Sequence, residues 1–220
     1  MGVFIFLRMV PEQYQVLARA QNTISMITFS VMIAGMSSLT ANIAEDRQRA
    51  LFLKLKSMPV QPWKDSVGRI LAILLFSFIS MLILITVGLT LGTRFEVSLI
   101  GILKSLGFLS LSILSSSGIG LIIGSLVKNL QGAIMTDVAI AVITSAISGI
   151  FFNYSMLPEA LRGFAQVWPI SAANTLIQHS IAGFTGYTPT NLNIILVVII
   201  SLLFFAAGLI VYNRFCWRTY

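Results

Sequence analysis

Long apolar runs alternate with short polar connections along this chain. Five runs reach the length needed to cross a bilayer: roughly Thr23–Ala44, Ile70–Leu91, Leu99–Leu126, Ala133–Phe152 and Ile194–Tyr212. As α-helices, each covers the roughly 30 Å of hydrocarbon. All six prolines (Pro11, Pro59, Pro62, Pro158, Pro169 and Pro189) fall outside these runs, as expected of a residue that breaks helices and collects in connections. The pattern predicts an all-α integral membrane protein with about five transmembrane helices. It forms a single transmembrane domain over residues 1–220. A segment at 1–21 precedes the first span, a charged connection occupies 45–64, and a helical segment at 153–191 precedes the last span.

Composition agrees. Of 220 residues, 57% are hydrophobic and 10% charged, with a mean hydropathy of +0.94, more apolar surface than a soluble core absorbs. The net charge of +7 follows from topology rather than from nucleic-acid binding. If the Glu45–Arg69 connection is cytoplasmic, that side holds Arg47, Arg49, Lys54, Lys56, Lys64, Arg69, Lys128, Arg214 and Arg218. The other side holds Arg8, Arg19, Arg94 and Arg162. This bias predicts an external N-terminus and an internal C-terminus. Lys104 falls just inside the outer end of the third span, where its amine can snorkel. The lone cysteine, Cys216, and lone histidine, His179, give no intrachain disulfide and no metal centre. Met1–Gln21 lacks the layout of a signal peptide. An odd number of spans with a polar external start leads us to expect a further helix before this sequence.

The connection reads "EDRQRALFLKLKSMPVQPWK" from Glu45 to Lys64. Leu51, Leu55 and Met58 share a helical stripe with Phe52 beside it, while Arg47, Lys54 and Lys56 fall largely elsewhere. Glu45 and Asp46 suit a helix start and Pro59 a stop, predicting a short amphipathic helix over about Asp46–Met58. Such a helix either lies in anionic headgroups or docks into a partner.

Here the residues resemble a family. Asp46-Arg47-Gln48-Arg49-Ala50-Leu51, then alternating leucines and lysines, then Pro59-Val60, is similar to the cytoplasmic loop of ABC-2 type transporter permeases. That family usually carries Glu-Arg-Glu followed by Gly-Thr-Leu; here Ala50-Leu51 stands for Gly-Thr. A second stretch, "FFNYSMLPEALRGFAQVWPISAANTLIQHSIAG" (Phe151–Gly183), resembles the family's external segment before its last span. It has an aromatic lead-in, Leu157-Pro158, a first helix with the stripe Leu157, Leu161, Phe164, Trp168, then Pro169 and a second helix ending near Gly183. Pro158 suits the first helical turn. An interfacial helix pair fits this second stretch equally well; the order of both motifs along one chain favours the family. The resemblance covers roughly Asn22–Tyr220, whereas family permeases have six spans.

The resemblance implies the permease subunit of an ABC exporter, driven by a separate ATPase subunit through a coupling helix. That helix seats in a cytoplasmic ABC ATPase subunit, and Asp46, Arg47, Arg49, Leu51, Phe52, Lys54, Leu55, Lys56 and Pro59 would form the docking surface. A second permease subunit, identical or related, completes a dimer in the cell membrane, a bacterial inner membrane by the resemblance. ATP and magnesium belong to the partner: this chain has no G-x-x-x-x-G-K-[ST] loop, so we expect no cofactor and no catalytic residue in it. The rivals are a secondary transporter, or a membrane scaffold or immunity protein that docks a soluble partner without transport.

Three features inside the spans stand out. "SSSGIGLIIGS" (Ser115–Ser125) sets Gly118, Gly120 and Gly124 on a small-residue surface for close helix packing, within the chain or across a dimer. Asp137 falls about 7 Å inside the fourth span, a functional candidate by default, with Lys128 or water as the expected partner. Thr144 and Ser145 can bond back to their own helix. Trp168, Tyr187 and Trp217 suit interfacial aromatic belts. No polar constellation in the spans selects a substrate.

Overall fold

The computed structural model describes residues 12–57, 61–90, 92–93, 98–151, 158–181 and 190–217. Among them, five helices are long and apolar enough to cross a membrane. The helices are α1 (Glu12–Gln48), α2 (Leu51–Lys56), α3 (Pro62–Thr90), α4 (Leu99–Leu126), α5 (Leu130–Ile147), α6 (Glu159–Val167), α7 (Pro169–Ile181) and α8 (Asn191–Tyr212). A π-helical turn, Asn213–Trp217, closes the described chain.

Three boundaries differ from expectation. First, α1 runs unbroken for 37 residues, about 55 Å at 1.5 Å per residue, so the helix that carries the first span begins well ahead of Thr23, at Glu12, and is longer than the hydrocarbon is thick. Second, α3 starts at Pro62, about two turns before the expected Ile70; proline is tolerated there because the first helical N–H has no intrahelical partner. Third, α5 is Leu130–Ile147 rather than Ala133–Phe152. The Asn129 side chain accepts a hydrogen bond from the Gln131 N–H at its start, and Gly149, at φ 73°, turns the chain away after its end. Pro158 caps α6, its carbonyl accepting from the Leu161 and Arg162 N–H groups (both 3.0 Å) and closing the first turn.

Helix α4 is the axis of the bundle, with α1, α7 and α8 packed around it. Small residues make this possible. A Cβ on Gly120 would fall 2.6 Å from the Met36 carbonyl oxygen of α1, and one on Gly124 3.0 Å from the Thr40 carbonyl oxygen. On the opposite face, a Cβ on Gly118 would fall 2.4 Å from the Phe204 carbonyl oxygen of α8, and one on Gly208 2.6 Å from the Gly118 carbonyl oxygen. All three predicted packing glycines therefore serve contacts within the chain.

Helix α7 is tucked into the bundle, with every residue from Pro169 to Gln178 buried. Its polar residues are matched across to α1 and α5, as groups cut off from water require. Thr28 Oγ1 donates to Asn174 Oδ1 (3.3 Å), Gln178 Nε2 to Ser25 Oγ (3.0 Å), and Ser171 Oγ to the Ser148 carbonyl (2.6 Å). The predicted aromatic stripe anchors α6: the rings of Phe164 and Trp168 stack at 5.2 Å, and Trp168 meets Phe204 edge-on at 5.4 Å. Leu161 is half-buried beside them. Leu157, Gly183 and Tyr187 lie outside the described residues.

The outer faces of α3 and α8 stay apolar and exposed, for example Leu75, Phe76 and Ile79 on α3 and Leu192, Ile195 and Leu203 on α8. Such faces suit hydrocarbon. Between α3 and α4, near the end where α7 lies, is a cleft of about 420 Å³ lined by Ile24, Phe78, Met81, Ile102, Leu106 and neighbouring residues. The one hydroxyl lining it, on Ser105, donates to the Gly101 carbonyl (2.8 Å), so the cleft is built for apolar contact.

Candidate functional site

The C-terminal ends of α1, α4 and α8 and the N-terminal ends of α3 and α5 meet at one end of the bundle. Arg47, Arg49, Lys54, Lys64, Arg69, Lys128 and Arg214 cluster there, and this basic end carries α2. Two junctions build it.

The first junction separates α1 from α2. Helix α1 reaches Gln48, so Glu45 and Asp46 close the span instead of opening the short helix, which is restricted to Leu51–Lys56. The chain breaks at Ala50, which takes a left-handed conformation (φ 52°, ψ 29°). A Cβ is disfavoured there by about 1–2 kcal/mol, and the family's usual glycine would fit without that cost. Ala50→Gly is expected to raise stability by about 0.5–1 kcal/mol, part of the relief being offset by glycine's larger unfolded-state entropy. A higher midpoint in denaturant titration of the purified protein checks this; an unchanged or lower one counts against strain at Ala50.

The second junction seats α2. Phe52, 2% exposed, meets Tyr212 edge-on at 5.9 Å and Trp217 at 6.1 Å. Leu55 is half-buried against the same apolar cluster, and Leu51 is half-buried. The π-helical turn at the end of α8 directs Cys216 and Trp217 into the fold, and Cys216 Sγ lies 3.5 Å from Ser125 Oγ. Trp217, 8% exposed, is thus a wall of the α2 seat.

A polar clasp runs beneath this seat. Arg69 of α3 pairs with Asp46 of α1 at 2.6 Å and with Asp65, one turn earlier on α3, at 3.0 Å. Tyr212 of α8 donates its hydroxyl proton to the same Asp65. One guanidinium and one phenol therefore join α1, α3 and α8. Arg47 lies alongside, its Nη1 donating to the carbonyls of Ser125 (2.5 Å), Gly124 (3.4 Å) and Val127 (3.4 Å). Those acceptors at the C-terminal end of α4 lack intrahelical donors, and a cation there also meets the negative end of the helix dipole.

The residues expected to dock fall into two groups by their contacts within the chain. Asp46, Arg47 and Phe52 make contacts within the chain, with Arg69, the α4 carbonyls and the Tyr212–Trp217 pair respectively, and of the three Phe52 is buried. Leu51 and Leu55 are partly covered. The outer surface is made by Arg49, Leu53 and Lys54; Leu53, which the stripe left unassigned, is 55% exposed. Arg49 pairs with Glu45 at 2.5 Å, and Trp63 at the start of α3 is 58% exposed. Pro59 and the Lys56 side chain lie outside what the structure describes. Arg69 and Tyr212 were not singled out from sequence; Arg69 entered only the count of basic residues, and Tyr212 only marked the end of the last span.

Away from this end, Asp137 is fully buried. Its carboxylate accepts hydrogen bonds from Ser37 and from Thr40 Oγ1 (3.2 Å), both on α1. These hydroxyls take the place of the expected Lys128, whose side chain is exposed at the head of α5. Ser145 bonds back to the Ala141 carbonyl at 2.7 Å, as foreseen. Among the described residues, no cluster of three or more histidine, cysteine, aspartate or glutamate side chains could hold a metal ion.

In comparisons with known proteins, a family model described as "ABC-2 family transporter protein" matches residues 8–210. Searches of curated proteins and of solved structures return no match.

Proposed function

The chain belongs to the ABC-2 transporter family, as a multi-pass membrane permease, and on that premise we propose that it exports its substrate under the drive of a separate cytoplasmic ATPase that grips α2. ATP and magnesium would bind that ATPase. A second permease subunit completes the transporter, and the basic end faces the cytoplasm of what is, by the family, a bacterial inner membrane. The observation that carries this reading is the construction of α2: a six-residue helix seated by Phe52 on the spans, with Arg49, Leu53 and Lys54 turned outward. A rigid peg of this kind lets closure of an attached domain move the membrane helices. Its cationic rim suits an acidic groove.

Leu53→Asp is the clean probe, because Leu53 is outside the fold's own core whereas Leu55 and Phe52 are within it. Purification of the full-length protein from its native membrane is expected to recover an ATPase with a phosphate-binding loop. Leu53→Asp should reduce that recovery about tenfold or more, the scale of an anchor residue of about 1.4 kcal/mol or above, with the thermal midpoint unchanged. Equal recovery with the variant would remove α2 as the docking element. A scaffold would recover a soluble partner lacking ATPase activity.

A further inference from the structure

We propose that Tyr212 is the positioning residue that passes movement of α2 into the membrane spans. This rests on the reading of α2 as the docking helix. The geometry singles out this side chain because it belongs to both structures at the basic end. Its ring packs edge-on against Phe52 (5.9 Å), the fully buried side chain of α2. Its hydroxyl donates to Asp65, which holds Arg69 at 3.0 Å, and Arg69 in turn reaches Asp46 at 2.6 Å. A displacement of Phe52 therefore moves a ring whose other end is hydrogen-bonded to α3 and, through Arg69, to α1. Tyr212 is itself the last residue of α8, so that helix moves with it.

The clasp suits transmission better than simple attachment. Two carboxylates, one guanidinium and one phenol form a directional chain in a largely buried setting, where alternative partners are few. Arg69, Asp46 and Asp65 have side chains only 17–19% exposed, so a shift must be followed rather than replaced by water. Tyr212→Phe cuts the link while keeping the ring against Phe52. The other routes from α2 to α3 are the connecting chain and the shared apolar cluster, and neither depends on the phenolic oxygen.

The test is a double-mutant cycle on the full chain in lipid nanodiscs, read by amide hydrogen exchange at Ser66–Ile70, the early turns of α3. With Tyr212 intact, Phe52→Leu should speed exchange there by about tenfold, the scale of coupling within one connected network. In the Tyr212→Phe background, the same Phe52→Leu change should add less than about twofold. Thermal midpoints of the single variants separate this non-additivity from general loosening, which would raise exchange along α1 and α4 as well. An undiminished Phe52 effect in the Tyr212→Phe background, or no effect with Tyr212 present, overturns the proposal. The measurement needs no ATPase. Non-additive exchange in a protein that recruits no ATPase keeps the role of Tyr212 and removes the docking partner. Additive exchange in a protein that does recruit one removes the role of Tyr212 alone.

Discussion

Gly118→Ala is expected to destabilise the folded bundle by about 3 kcal/mol, and Gly118→Leu to prevent recovery of a monodisperse protein. The added methyl would fall 2.4 Å from the Phe204 carbonyl oxygen, 2.6 Å from its carbon and 2.8 Å from the Phe205 nitrogen. All three obstacles are backbone, so no rotamer change makes room. Helices α4 and α8 must move apart by about 1 Å to restore van der Waals distance. The opposite face of α4 is held as tightly by Gly120 and Gly124 against α1. A core that cannot relax puts the cost at the upper end of the roughly 1–3 kcal/mol typical of overpacking. Gly107→Ala is the control, since apart from its own helix backbone nothing lies within 4 Å of its added Cβ; it should be neutral or stabilising by up to about 1 kcal/mol through helix propensity. Unfolding in mixed micelles and size-exclusion profiles read both. Equal behaviour of the two variants would mean that α4 and α8 are not in close contact.

Arg69→Gln should cost about 2–3 kcal/mol, because it leaves Asp46 and Asp65 largely buried with no guanidinium between them. Removing one member of a buried ionic group is more damaging than removing the group, since the desolvation of the remaining charge is no longer offset. The triple variant Asp46→Asn, Asp65→Asn, Arg69→Gln should therefore recover most of the loss. Added salt should change the wild-type midpoint little, screening being weak for partly buried pairs. If the triple variant is no more stable than Arg69→Gln, the charges are not coupled as the geometry implies.

What the sequence disclosed and what it withheld follow from one distinction. Hydropathy reports that a side chain is covered, not what covers it. The five spans were legible because each is a long apolar run, whether it faces outward like α3 and α8 or is largely covered by its neighbours like α4. The stripe of Leu51, Leu55 and Met58, with Phe52 beside it, was legible as a stripe. Its cover, Tyr212 and Trp217, lies some 160 positions away in the chain, and a partner protein would have left the same pattern. Asp137 stood out as an acid in a span, but Ser37 and Thr40 look like any hydroxyls in a helix and lie about 100 residues earlier. Boundaries failed where local chemistry overrode hydropathy: the cap at Asn129, the turn at Gly149 and the left-handed Ala50. The resemblance carried a trace of the last of these, because it sets a glycine at that position.

The burial of Cys216 turns the native sequence into a ready background for site-directed labelling. The chain has one cysteine, and its thiol is fully covered in the packed end of α8. A thiol introduced at Leu53 would thus be the sole accessible target for a membrane-impermeant maleimide, with no need to strip the wild-type residue first. Protection in sealed right-side-out vesicles and rapid modification in inverted ones would report the sidedness of the peg in the otherwise native polypeptide.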